Sequence, residues 1–226
     1  MIDICVTHFG DKYSSKYITN LENAIGKNYS SDFNFIVKTD CPNGHWDKLS
    51  FFECDKPRII MDIDIIVTSN IDDIIDHNMN ADCVRAFPRW WTKGGCKING
   101  GFYKVNPGPS VEMAMEKFYD DPEFWIKHYG KKLGTLGKGE QDFVEESIKN
   151  ISYFPSKYLG IYTDGCIHNN KVISQENINN KYFRAHNLPL LEGDKFGPEV
   201  KLVHFIYDNN MIENRPQWIQ DLWNTM

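Results

Sequence analysis

The chain contains no Cys-x-x-Cys pair, no apolar run near membrane-spanning length, no cluster of basic residues and no low-complexity tract or internal repeat. Its six cysteines lie scattered among 226 residues, so the sequence spells out neither a zinc knuckle nor a disulfide framework, and a reducing, cytoplasmic setting is the expectation. Spanning a bilayer takes roughly 18 or more consecutive apolar residues. "MIDICVTHFG" opens without a cationic region ahead of an apolar stretch, and the sequence-level expectation is a protein neither secreted nor membrane-spanning. A net charge of −6, without runs of Lys or Arg, argues against a nucleic-acid partner. It also means that any phosphate-bearing ligand would need cations gathered locally.

What is present fits a folded domain. Hydrophobic residues make up 41%, charged residues 25% and aromatic residues 14%, enough apolar material for a large core, and the length suits one α/β domain. "IDICVTHF" reads as a first strand ended by Gly10. "SSKYITNLENAIG" reads as a helix capped by Ser14 or Ser15 and stopped by Gly26. "FNFIVKTD" is a second strand and "WDKLSFF" a short helix. "ADCVRAF", "GGFYKVN", "NISYFP" and "VKLVHFIY" are later strands; "PSVEMAMEKFY", "EQDFVEESI" and "RPQWIQDLW" are helices, the last opened by Pro216. The Asn-, Gly- and Asp-rich stretch from about Tyr158 to Gly197 reads as loops. Alternating strand and helix signals predict a largely parallel sheet covered on both faces.

The segment with the most chemistry is "RIIMDIDIIV", residues 58–67. It predicts one buried strand with Asp62 and Asp64 on the same face, since side chains two apart in a strand project the same way. Burying carboxylates without partners is costly, so the pair calls for a cation, a helix N-terminus or solvent. A hard divalent ion, Mn²⁺ or Mg²⁺, suits them, because such ions take one or two carboxylates and complete their shell with phosphate oxygens and water. His204, in "KLVHFIY", is a candidate third ligand. The polar strand ends Thr7 to Phe9, Thr39 to Asp40 and Asp62 to Asp64 point to a shared crevice at the carboxyl edge of the sheet.

At these residues the chain resembles the GT-A fold glycosyltransferases, particularly the glycogenin and family 8 galactosyltransferase group. "WDKLSFFECDKPRIIMDIDIIVTSNIDDII" is similar to that group's donor-site segment, with its Lys-Leu, apolar strand, Asp-x-Asp metal motif and Asn-Ile-Asp-Asp turn. "CVTHFGDKYSSKYITNL" resembles the first strand and uracil-binding loop, "INGGFYKVNP" the segment lining donor sugar and acceptor, "GEQDFVEES" the segment near the anomeric carbon, and "KLVHF" with "RPQW" the late metal ligand and diphosphate clamp. Two features depart from the group: its Gly after the His is missing, and Arg215 stands where Lys is usual.

The resemblance implies a single GT-A domain over residues 1–226, with a Rossmann-like, mostly parallel but mixed sheet flanked by helices. Residues 1–85 would form the nucleotide-binding half and 86–226 the acceptor-binding and closing half. It implies a metal-dependent transfer of a sugar from a UDP-sugar donor to a glycan or other hydroxyl acceptor, with retention at the anomeric carbon. Implied donor contacts are Thr7, His8, Phe9, Tyr13, Lys48, Asp62, Ile63, Asp64, Asn99, Gly100, Gly101 and Arg215. The implied metal ligands are Asp62, Asp64 and His204, and Glu140, Gln141 and Asp142 are candidates to face the developing positive charge on the sugar. Trp90 and Trp91 are candidates for an acceptor platform. Two alternatives stay open: a haloacid-dehalogenase-type phosphatase, disfavoured by Ile66 and by a motif far from the N-terminus, and a nucleotide-sugar binder without catalysis.

Overall fold

A computed structural model describes residues 1–89, 96–130, 139–162, 167–168, 171–172, 199–205, 211–215 and 217–225. Trp90, Trp91, Ile206 and Pro216 lie outside these residues. The order is β1 (Ile2–Thr7), α1 (Ser15–Asn28), β2 (Phe33–Lys38), a 3-10 segment (Gly44–Phe52), β3 (Arg58–Met61), β4 (Ile65–Val67), α2 (Asp72–Ile75), β5 (Cys83–Pro88) and β6 (Ile98–Asn106). There follow α3 (Pro109–Asp120), α4 (Pro122–Gly130), α5 (Glu140–Ser147), β7 (Ile151–Tyr153), β8 (Leu159–Tyr162), the short pair β9 (Ile167–His168) and β10 (Lys171–Val172), β11 (Leu202–Phe205) and α6 (Gln217–Asn224).

The central sheet runs β2-β1-β3-β6-β5-β7. β1 is parallel to both β2 and β3, β5 is parallel to β7, and β6 is antiparallel to its two neighbours. Both faces are covered, so the middle residues of β1 and β3 are apolar and alternate ones feed different cores. Ile4, Val6, Ile59 and Met61 pack with α1, β4, β11 and α6, whereas Cys5 and Ile60 pack with the 3-10 segment, α3 and α5. Each fully buried aliphatic side chain contributes about 1.5–3 kcal/mol relative to exposure. The five described cysteines are free thiols, and among the described residues no helix is long and apolar enough to cross a membrane.

Three expectations need correction. The segment 58–67 is not one strand: β3 ends at Met61, a turn carries Asp62 to Asp64, and β4 then joins a second sheet of order β4-β11-β8. A turn is the physically cheaper place for two acids, because a continuous central strand would bury both among aliphatic neighbours. Gly26 does not stop α1, which runs on to Asn28 and is closed by the amide of Tyr29 on Ile25; the packing of Ala24 and Ile25 in the core outweighs the weak helix preference of one glycine. The stretch expected as loops holds β8, whose Leu159–Tyr162 pairs in parallel with β11. The sequence signals above mark no helix over α4, whose Tyr129 is buried.

Candidate active site

β1 and β3 are in parallel register, so their carboxyl ends bring Thr7 and Asp62 to one edge of the sheet. There Thr7, Phe9, Lys12, Tyr13, His45, Asp62, Ile63 and Asp64 line a cleft of about 300 Å³. Thr39 and Asp40 follow β2 at the same edge but are not among the described lining residues.

The turn at Asp62–Asp64 is pinned from two sides. The Asp62 amide donates to the Gly101 carbonyl on β6 at 2.9 Å, and the Phe205 amide on β11 donates to the Asp64 carbonyl at 3.0 Å. The second contact continues the antiparallel pairing in which Ile65 faces His204, which brings a residue from late in the chain to the motif. Asp62, Asp64 and His204 each offer a ligand atom, and these atoms lie within 4.8 Å of one another. His204 Nε2 is 3.6 Å from Asp62 Oδ2 and 3.4 Å from Asp64 Oδ1.

The remaining atom of each of these three groups is tied elsewhere. Lys48 Nζ bonds Asp62 Oδ1, the Tyr13 hydroxyl donates to Asp64 Oδ2 at 2.8 Å, and Asn99 Nδ2 meets His204 Nδ1 at 3.2 Å. Such outer partners fix the orientation of metal ligands. Lys48 is only 3% exposed and also reaches the Gly100 carbonyl at 3.1 Å and Glu140 Oε1 at 3.3 Å. It is carried by the 3-10 segment, which is anchored by Trp46, Leu49 and Phe52, with Trp46 stacked on Phe118 at 5.8 Å between ring centroids.

The charge balance is uneven. Among the described residues Lys48 pairs with Asp62 and Glu140, and Lys12 adds a Coulombic attraction to Asp64, so three carboxylates outnumber two ammoniums, a deficit that a divalent cation would fill. Burial, together with the neighbouring Asp64 and Glu140, pushes the Asp62 carboxyl above its ordinary range despite Lys48. Burial acts on Asp64 in the same sense, but hydrogen bonds from His204 and Tyr13 outweigh it and hold that carboxyl low. For Lys48, burial alone would lower the pKa; Asp62 and Glu140 reverse this and keep it charged.

β6 reaches the site through an irregularity. Its pairing with β5 jumps from Tyr103 opposite Ala86 to Asn99 opposite Phe87, leaving Gly100, Gly101 and Phe102 without partners on β5. Bulges of this kind re-aim side chains beside functional sites. The two glycines are needed for close approach: a Cβ on Gly100 would lie 2.5 Å from Glu140 Oε1, and one on Gly101 would lie 2.3 Å from His204 Cε1. Asn99 Oδ1 accepts from the Gly101 amide, and Gln141 Oε1 accepts from the Gly100 amide at 2.9 Å.

Of the other residues singled out in the sequence, His8 Nε2 donates to the Tyr13 carbonyl at 2.8 Å, bracing the loop. Glu140 is buried against Lys48, with His45 Nε2 at 3.7 Å. Asp142 turns back to accept from the Gly139 amide at 3.2 Å, closing the first turn of α5, and burial raises its pKa. Arg215 follows the 3-10 turn Ile212–Asn214, its Nε donating to the Met211 carbonyl at 3.2 Å, just before α6. Lys12 and His45 also line the cleft, and no sequence signal marks them: Lys12 lies in the loop after β1 and His45 at the start of the 3-10 segment.

No family model and no curated protein matches the sequence. Solved structures do. The galactosyltransferase LgtC, in complex with donor and acceptor sugar analogs, superposes over 100% of this chain and 96% of its own, with a TM-score of 0.59 at 12% identity. The glycosyltransferase GlyE of Streptococcus pneumoniae TIGR4 gives a TM-score of 0.61 at 13% identity, over 100% of this chain and 63% of that one. Mouse xyloside xylosyltransferase 1, in its apo form, gives 0.53 at 11% identity, over 93% of this chain and 99% of that one. The chain has the GT-A glycosyltransferase fold. The acid pair sits at the carboxyl edge of the sheet, between β3 and β4.

Proposed function

We propose that this protein is a divalent-metal-dependent glycosyltransferase that moves a sugar from a nucleoside diphosphate donor, a UDP-sugar, to a glycan or other hydroxyl acceptor with retention. The observation that carries this reading is the convergence of Asp62, Asp64 and His204 on the cleft, with Lys48 bridging Asp62 to Glu140. The donor set fits Mn²⁺ or Mg²⁺: two hard carboxylates and one imidazole, with their far atoms already held. Bound there, such an ion supplies Lewis-acid stabilisation of the charge developing on the departing diphosphate.

The chain's own residues divide the remaining work. Thr7, Phe9, Tyr13 and Ile63 shape the cleft for the nucleoside, and His8 holds the Tyr13 loop. Lys12 and Arg215 are the candidate cations for the diphosphate, with His45 a candidate hydrogen-bonding partner. Gly100 and Gly101 let the sugar approach the β6 backbone, with Asn99 and Gln141 as hydrogen-bonding partners. Glu140, beside Lys48 and Asp62, is better placed than Asp142 to face a sugar ring acquiring positive charge, since the Asp142 carboxylate is engaged with the Gly139 amide. The residues before and after the cleft that would choose the acceptor carry no recognisable code.

A panel of nucleotide sugars incubated with Mn²⁺ tests the proposal, with released nucleotide and the anomeric configuration of the product followed by NMR. Turnover of one donor that is lost in Asp64→Ala supports it. Hydrolysis of a generic aryl phosphate with no nucleotide-sugar turnover would point to the phosphatase instead. Donor binding without turnover would leave a nucleotide-sugar binder.

A further inference from the structure

Tyr13 touches both the cleft and the acid pair. Its ring lines the cleft, while its hydroxyl lies 2.8 Å from Asp64 Oδ2. Its position is fixed by three contacts: the backbone carbonyl accepts from His8, the ring packs on Tyr17 with centroids 4.8 Å apart, and Lys12 Nζ lies 4.6 Å from the ring centre.

Resting on the reading of Asp62, Asp64 and His204 as a cation site, we propose that Tyr13 is a positioning residue for it: by holding Oδ2 of Asp64, its hydroxyl turns Oδ1 toward His204 Nε2. A carboxylate free to rotate would present either oxygen, or both, and would pay rotational entropy on binding an ion. One held at a single oxygen presents the other in advance. The same side chain also lines the cleft, so any ligand that moves the Tyr13 ring alters Asp64, and a cation on Asp64 alters the cleft. Binding of the two is then reciprocal.

Tyr13→Phe keeps the ring and removes only the donor. Mn²⁺ alone is titrated into the protein and free Mn²⁺ is read by electron paramagnetic resonance, with no nucleotide present. Outer-shell partners typically change metal affinity by roughly 10–100-fold, so a loss of about tenfold or more is expected. Tyr17→Phe, which removes the hydroxyl bonded to Glu213 and to the Ile212 amide instead, leaves Mn²⁺ affinity unchanged. An affinity in Tyr13→Phe within about twofold of the unsubstituted protein, well short of the outer-shell range, overturns the proposal, and so does an equal loss in Tyr17→Phe. Should Tyr13→Phe fail to fold, a fluorine-labelled tyrosine at position 13 decides: its resonance shifts when Mg²⁺ alone is added, and an unmoved resonance overturns the proposal. If the unsubstituted protein takes up no Mn²⁺, the cation site itself fails and this inference with it.

Discussion

The central strands bury acid at both ends and treat it in opposite ways. At the amino edge Asp3, on β1, is met by Lys56 at 2.9 Å, Arg58 at 3.6 Å and the Asn34 amide at 2.9 Å. Burial would raise this carboxyl, but Asn34 and Lys56 outweigh it, and its pKa is lowered. At the carboxyl edge Asp62 and Glu140 share Lys48, Asp64 stands beside them held by the Tyr13 hydroxyl, and the Asp62 carboxyl is raised. One end is compensated for folding. The other is left short of positive charge, which a protein tolerates where a ligand completes the balance.

Lys48→Met should break that contrast most severely. It strips the remaining fixed counter-charge from Asp62 and Glu140, and uncompensated buried charge costs about 3–5 kcal/mol, measured by denaturant unfolding. Adding Glu140→Gln should recover part of the loss; no recovery would mean that Glu140 is solvated rather than paired. Gly101→Ala comes next. Its Cβ would meet His204 Cε1 at 2.3 Å, so the imidazole must shift, with an expected cost of about 1–3 kcal/mol and loss of Mn²⁺ uptake.

At the compensated edge, Asp3→Asn should cost about 1.5–3 kcal/mol, the worth of a hydrogen bond to a charged group. Its pH signature sharpens the comparison. The folded Asp3 carboxyl lies below its ordinary 3.8, so its contribution is complete above that pH and is lost as pH falls through the folded value. Asp3→Asn should therefore flatten the acid limb of the stability profile. Asp62 runs the other way: its raised pKa penalises the ionised form, so acidification relieves the fold while driving out a bound cation. Cation affinity should fall with pH before global stability does. The smallest effect lies away from both edges. Gly26 has open space around it inside α1, and Gly26→Ala should stabilise by about 0.5–1 kcal/mol, read as a rise in melting temperature.

Much of the fold was legible because burial on two faces leaves a simple record. β1, β2 and β3 read as apolar runs, and Val111, Ala114, Met115 and Phe118 marked the buried face of α3. The acid pair was legible for the same reason: Asp62 and Asp64 break an otherwise aliphatic run. The turn that carries them was not, because a strand and a strand-turn-strand have the same apolar flanks, and only the pairing of β4 with β11 separates them. Lys12 and His45 were not legible, because a loop residue and the first turn of a short 3-10 segment acquire meaning only from what folds beside them. Asp142 reads alike as a sugar-facing acid or as the closure of a helix's first turn; its bond to Gly139 favours the second.

Whether the acid pair grips a nucleotide through a metal ion is decided by calorimetric titration of UDP into the protein with and without Mn²⁺. Binding should require Mn²⁺ and disappear in Asp62→Ala while the protein remains folded. Binding of equal strength without the ion, or undiminished binding in Asp62→Ala, would contradict it.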